Sequence, residues 1–213
     1  GSIGSELSVQ CAQAGVGKLI LLERYEQSLL EITQRINASH PNLHVVPLLA
    51  DCGDVQSYRH LLGDIDFVIH AAACKQVPLL ETQVRAALRN NVHVTTLLGR
   101  ACRQAGVPHF LLVSTDKAIE PASILGASKR LAELACLAIF EESETQLAIV
   151  RFGNVLDSVG SVVPLFREQI ANGGPVTVTH PDISRYFMTI PEAAQLILQT
   201  SKLSTEPASV FTL

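Results

Sequence analysis

Two stretches, Asp66–Ala72 and His109–Ser114, run apolar without the alternation of a sheet that faces water on one side. Strands of this kind are buried on both faces, which is the pattern of a parallel sheet covered by helices. Parallel neighbours need a crossover, and the intervening sequence supplies helical periods. The pattern predicts strands at Lys18–Glu23, Leu43–Leu49, Asp66–Ala72, His109–Ser114 and Gln146–Arg151. It predicts helices at Glu6–Ala14, Leu29–Asn37, Val55–Leu62, Val84–Ala105 and Gly126–Glu141. The long helix ends at Gly106 with Pro108 beyond it, a usual helix stop. Alternation of this kind specifies a Rossmann-like, doubly wound α/β fold. After Arg151 the pattern changes to glycine, proline and mixed elements. The expected division is therefore a dinucleotide-binding domain over 1–150 and part of a smaller substrate lobe over 151–213.

The 213 residues are 47% hydrophobic, enough for a packed core and unlike a disordered chain. A net charge of −4, with no Lys/Arg run, gives no support to nucleic-acid binding. Cys11, Cys52, Cys74, Cys102 and Cys136 form no CxxC pair, so neither a zinc site nor a disulfide framework is expected. Free thiols fit a reducing cytoplasm. This segment shows no signal peptide and no apolar run long enough to span a bilayer.

Gly1-Ser2-Ile3-Gly4 leads directly into the first helix. Such a turn brings backbone N–H groups to a pyrophosphate, although GxxG alone is a weak signal. Glu23 ends the next strand nineteen residues after Gly4, where a ribose-binding acid belongs; otherwise it is a surface acid at a strand end. Asp51 is the corresponding adenine contact, and Asp54 an N-cap of the following helix. In His70-Ala71-Ala72-Ala73, Ala71 and Ala72 either let a flat cofactor lie on the backbone or serve helix packing. His70 reads as a packed histidine.

The run Ser114-Thr115-Asp116-Lys117 sets hydroxyls, a carboxylate and an amine at the end of an apolar strand, where such sheets open their binding crevice. Lys129 adds a second amine on the next helix. These are proton-transfer groups beside a cofactor crevice, and they point to an enzyme.

Together, several segments resemble the extended short-chain dehydrogenase/reductase superfamily, and within it the bacterial UDP-N-acetylglucosamine 4,6-dehydratases of capsule, O-antigen and glycan synthesis. The segments are Gly1–Leu7, His70–Glu81, Asn90-Asn91-Val92, Ser114–Ala118, Gly126–Glu133, Arg151–Leu156, Gly160–Phe166 and Ser184–Thr189. The resemblance implies NAD that is reduced and reoxidised within one turnover, and a UDP-sugar substrate converted to a UDP-4-keto-6-deoxy sugar. It also implies a first strand before residue 1, further sugar-lobe residues after 213, a homo-oligomer, and a parent protein with or without membrane helices. By resemblance, Lys117 is the C5 base and Asp116 the acid for the C6 hydroxyl. Thr115 or Ser114 bonds the C4 oxygen, and Lys129 holds the nicotinamide ribose. These roles require a neutral Lys117 and a protonated Asp116, and burial is expected to push both toward neutrality; an ordinary ion pair would instead favour the charged state of each and count against the roles.

Lys75, Asn154 and Arg185 are expected substrate contacts, the last two for the diphosphate; a turn asparagine and a solvated arginine are the plainer readings. Two departures stand out. Leu125 occupies the position of the superfamily's tyrosine, four residues before Lys129, and leaves C4-hydroxyl deprotonation to Thr115, Asp116, a water or Lys129. Asp157 stands where a small residue, commonly glycine, is expected. The competing activities are a nucleotide-sugar epimerase or reductase of the same fold, and a catalytically silent NAD or nucleotide-sugar sensor.

Overall fold

His109–Thr115 forms the central strand because alternate residues find apolar partners on both sides. The computed structural model describes residues 1–158, 161–178, 180–203 and 206–213. The chain runs α1 (Ser2–Gln13), β1 (Lys18–Glu23), α2 (Glu26–Ser39), β2 (His44–Leu49), α3 (Val55–Tyr58, extended by a 3-10 turn to Asp64) and β3 (Phe67–His70). Short helices α4 (Val77–Thr82) and α5 (Val84–Ala87) follow; a π-helical turn, Leu88–His93, then leads into α6 (Val94–Ala105). Next come β4 (His109–Thr115), a 3-10 turn at Asp116–Ala118, α7 (Ile124–Phe140), β5 (Gln146–Phe152) and β6 (Asn154–Val155). The chain finishes with α8 (Val162–Ala171), β7 (Phe187–Met188), α9 (Ile190–Leu203) and β8 (Ala208–Thr212).

All strand pairs are parallel. β1 pairs with β2; β3, β4, β5 and β8 form a second sheet in that order; β6 pairs with β7. Phe110 and Leu112 of β4 pack with Leu98 and Cys102 of α6 and with Ala132, Cys136 and Phe140 of α7. Leu111 and Val113 pack on the opposite face with Leu7 of α1 and Ala193, Ala194 and Ile197 of α9. Val9 and Ala12 on α1 join Leu21 of β1 and three buried residues of α2, so α1 packs against both sheets. Helices on both faces of parallel strands give the expected doubly wound α/β architecture. Residues 190–203 and 208–212, assigned by the sequence pattern to the substrate lobe, return to this core: α9 covers the sheet and β8 pairs with β5.

Three local expectations are corrected. The first helix begins at Ser2, not Glu6, so Gly4 lies in its first turn. The predicted helix Val84–Ala105 is interrupted by the π turn, whose Asn91 is buried. Its side chain bonds both the N–H and the carbonyl of Cys74 (2.8 and 3.0 Å) and donates to Ser128 Oγ (3.0 Å). Asp54 occupies the N-cap position of α3, but its side chain makes no capping bond.

His70 is the packed histidine the sequence predicts. Its Nε2 lies 2.9 Å from Thr95 Oγ1, and burial, aided by the Lys129 charge, pushes its pKa down to about 3. A depressed histidine pKa means that the unfolded chain binds the extra proton first. The stability due to neutral His70 is complete above about pH 6.5 and declines as pH falls toward 3, by at most about 1.4 kcal/mol per pH unit. Urea unfolding at pH 7 and pH 5 should show this decline above the carboxylate range, and His70→Gln should flatten it. Equal slopes in the two proteins would assign the acid sensitivity elsewhere.

Candidate active site

The C-terminal ends of the parallel strands carry the candidate residues, as a doubly wound fold requires. At the first of these ends, Glu23 Oε1 accepts hydrogen bonds from Arg24 N and Tyr25 N (2.8 and 3.0 Å). Its Oε2 lies 3.6 Å from Gly1 N, so the acid that ends β1 sits at the N-terminus of α1. Asp51, just beyond β2, accepts from Gly53 N at 2.8 Å and faces Arg24 at 3.5 Å. A Cβ added at Gly1 or Gly4 would meet nothing within 4 Å. Open space at a helix N-terminus and a carboxylate beside it fit a dinucleotide. Ile3 differs from expectation: its side chain packs into the α1–α9 core, and only its backbone belongs to this end. Ala71 is half-buried and Ala72 exposed just after β3.

At the end of β4 the chain turns sharply into Asp116–Ala118, and three predicted residues meet there. Thr115 Oγ1 donates to Asp116 Oδ1 at 2.9 Å, and Lys117 Nζ donates to the same oxygen at 3.0 Å. Lys117 Nζ also reaches Asn154 Oδ1 at 3.2 Å, which brings β6 into the cluster. Gly126 makes the turn possible. A Cβ there would overlap the Lys117 carbonyl oxygen and lie 3.3 Å from Pro121 Cα, so only glycine lets α7 approach so closely. Ser123 caps that helix by accepting from Gly126 N at 3.2 Å.

Lys129 is buried on α7 and donates to Val113 O at 2.6 Å; burial pushes its pKa down to about 8. Leu125, one turn earlier, packs with Leu80 and Ala87.

The expected ionisation of Asp116 is overturned. Burial alone raises its pKa, but hydrogen bonds from Lys117 and Thr115 outweigh burial and hold it below the ordinary carboxylate value. The 3.0 Å contact with Lys117 is an ion pair, the arrangement that counts against a protonated Asp116.

Ser114 is also corrected as a substrate contact. Its side chain is buried on the α7 side of β4 and donates to Glu133 Oε1 at 2.5 Å. Lys75 and Arg185 are exposed; Arg185 donates to the neighbouring Ser184 carbonyl at 2.6 Å, and the carbonyl of the next residue, Tyr186, accepts from Asn154 N at 3.2 Å. Asp157 has φ +56°, the left-handed conformation in which glycine is expected, and its carboxylate pairs with Arg167 at 2.5 Å. Gly160 lies outside the described residues.

A comparison with known families decides the affiliation. The profile of the polysaccharide biosynthesis protein family matches residues 1–212. The chain belongs to that family. It is 43% identical to the capsular polysaccharide biosynthesis protein CapD of Staphylococcus aureus, over 100% of this chain and 36% of CapD. It is 36% identical to a UDP-glucose 4-epimerase of Rickettsia canadensis, over 77% of this chain and 48% of that protein. The chain thus spans about a third to a half of the length of these relatives. The fold matches DesIV, a dTDP-glucose 4,6-dehydratase from Streptomyces venezuelae solved with NAD bound, with a TM-score of 0.86. That match has 21% identity and covers 100% of this chain and 72% of DesIV.

Within this family member, sequence reasoning missed Glu133. It is a lone acid among small apolar residues of α7, and Arg151 is a lone cation in the apolar strand β5. An acid on the buried face of a helix and a cation in a neighbouring apolar strand signal a buried pair. Among the described residues, no helix is long and apolar enough to cross a membrane.

Proposed function

We propose that the chain is the catalytic portion of a nucleotide-sugar 4,6-dehydratase that converts UDP-N-acetylglucosamine to a UDP-4-keto-6-deoxy sugar for surface polysaccharide synthesis. The observation that carries this reading is the contact between Lys117 Nζ and Asp116 Oδ1, 3.0 Å apart at the strand end, with Thr115 bonded to the same oxygen. A base and an acid side by side are what elimination of water between adjacent sugar carbons needs.

NAD fits the crevice residues. The N-terminus of α1 at Gly1 and Gly4 would receive the pyrophosphate, Glu23 a ribose, Asp51 the adenine end, Ala71 and Ala72 the flat ring systems, and Lys129 the nicotinamide ribose. When bound, NAD supplies reversible oxidation, first at sugar C4 and finally, in reverse, at C6. The remaining chemistry belongs to side chains. The anionic Asp116 is suited to receive the C4 hydroxyl proton through Thr115, whose hydroxyl already donates to it. This relay replaces the tyrosine that Leu125 does not supply, and it leaves Asp116 as the acid that the next step requires. Lys117, as an amine, removes the C5 proton, which the C4 ketone acidifies. Lys117 enters this step as the free amine, its ion-pair proton having passed to solvent before the sugar covers the pair. Asp116 then passes its proton to the C6 hydroxyl, which leaves as water. Lys117 returns a proton to C5 as C6 is reduced. Both side chains finish as they began, and the water lost carries the C4 hydroxyl proton.

The rickettsial relative favours 4-epimerisation as the second reading. Epimerisation breaks no bond at C5 and leaves the Asp116–Lys117 pair without a task. Incubation of the full-length protein with UDP-N-acetylglucosamine and NAD separates the two. A product lighter by one water is expected; an isomer of unchanged mass would replace this proposal with the epimerase.

A further inference from the structure

Glu133 lies on α7 one turn beyond Lys129 and is fully buried. Its two oxygens accept four hydrogen bonds. Oε1 accepts from Ser114 Oγ (2.5 Å) and Arg151 Nε (2.9 Å); Oε2 accepts from Arg151 Nη2 (2.6 Å) and Arg130 Nη1 (3.1 Å). Four donors match the four lone-pair sites of a carboxylate, so the ion is satisfied although buried. The donors come from three elements. Ser114 and Arg151 are direct neighbours in the β4–β5 register, and Arg130 shares α7 with Glu133. Lys129 fixes the preceding residue by donating to Val113 O. Two successive residues, Val113 and Ser114, are thus tied to one face of α7, and the reactive Thr115-Asp116-Lys117 follows at once.

We infer that Glu133 is a positioning residue, whose buried carboxylate holds the end of β4 against α7 and β5 and so fixes where Thr115 and Asp116 stand relative to Lys129. The inference rests on the proposed reaction only for what those residues do, not for where they are held. The charge is needed because every partner is a donor. Glutamine has the same shape but turns an NH2 group toward Arg151 or Ser114, leaving donor against donor.

The test uses Glu133→Gln and Ser114→Ala in the full-length protein. Glu133→Gln should lower kcat on the order of 10²-fold, the size expected for a displaced catalytic group. KM for the sugar nucleotide and NAD affinity should stay near wild type. Amide hydrogen exchange should quicken at Thr115–Lys117 while Phe110–Leu112 keep their protection. Ser114→Ala removes one donor and should move the same readouts in the same direction by less; it decides the matter if Glu133→Gln does not fold. Unchanged kcat per folded molecule, or exchange that quickens equally along β4, would reduce Glu133 to a general stabiliser and overturn the inference. The exchange measurement needs no turnover. It therefore still decides the position of the strand end if the wild-type product proves to be an epimer.

Discussion

Lys117→Ala in the full-length protein should lose dehydration by on the order of 10²- to 10⁴-fold, the range for removing a positioned acid–base group, while NAD affinity stays near wild type. Among the described residues, Lys117 Nζ bonds Asp116 and Asn154, so the substitution removes no core packing. Its first consequence is the loss of the proposed C5 base. Oxidation at C4 uses no base at C5, and Thr115 and Asp116 remain to accept the hydroxyl proton. Substrate should therefore still generate reduced nicotinamide, visible as an absorbance that builds up because the pathway stops there. The second consequence is electrostatic. Lys117 holds the Asp116 pKa down, so in the variant that pKa should rise, and the acid limb of C4 oxidation should move to higher pH. Unchanged turnover would remove Lys117 from the mechanism; loss of both steps together would mean that it serves binding instead.

Gly126→Ala should be nearly as damaging for a different reason. The added methyl would overlap the Lys117 carbonyl oxygen, a backbone atom that cannot swing aside as a flexible side chain would. Either the Asp116–Ala118 turn or the start of α7 must move. The first carries the proposed acid and base, and the second is the helix of Lys129. Overpacking of this kind costs about 1–3 kcal/mol, and a shift of about 1 Å at a reacting group lowers turnover roughly 10²-fold. Gly4→Ala is the matched control. Open space surrounds that position, and alanine suits a helix interior better by about 1 kcal/mol. Stability should hold or rise while NAD affinity falls, because the methyl enters the space proposed for the pyrophosphate. Wild-type kcat in Gly126→Ala would show that the turn tolerates displacement and that its geometry does not govern the chemistry.

The parts of this fold visible in the sequence are those set by local pattern. β4 was legible because five successive residues are apolar or packed, and the end of α6 because Gly106 adopts φ +70° before Pro108. The meeting of Thr115, Asp116 and Lys117 followed from their place at a strand end. What escaped depends on contacts between distant residues. The π turn around Asn91 exists to serve Cys74 and Ser128, and nothing local in Leu88–His93 announces it. The start of α1 was misplaced because glycines suit both a turn and an open helix end. Ser114 was assigned to substrate by its neighbours, although strand alternation puts it on the same face as Phe110 and Leu112, toward α7. The Asp116 charge state turns on whether its two donors, Lys117 and Thr115, actually reach it, and adjacency in sequence leaves that open.

The central claim is that a proton leaves and returns at sugar C5 under Lys117, and isotope uptake reads it most directly. Full-length protein is incubated with UDP-N-acetylglucosamine and NAD in deuterated water, and the product is examined by NMR. The expected product is a 4-keto-6-deoxy sugar with deuterium at C5, absent when Lys117 is alanine. A wild-type product that retains its original hydrogen at C5 would contradict the account.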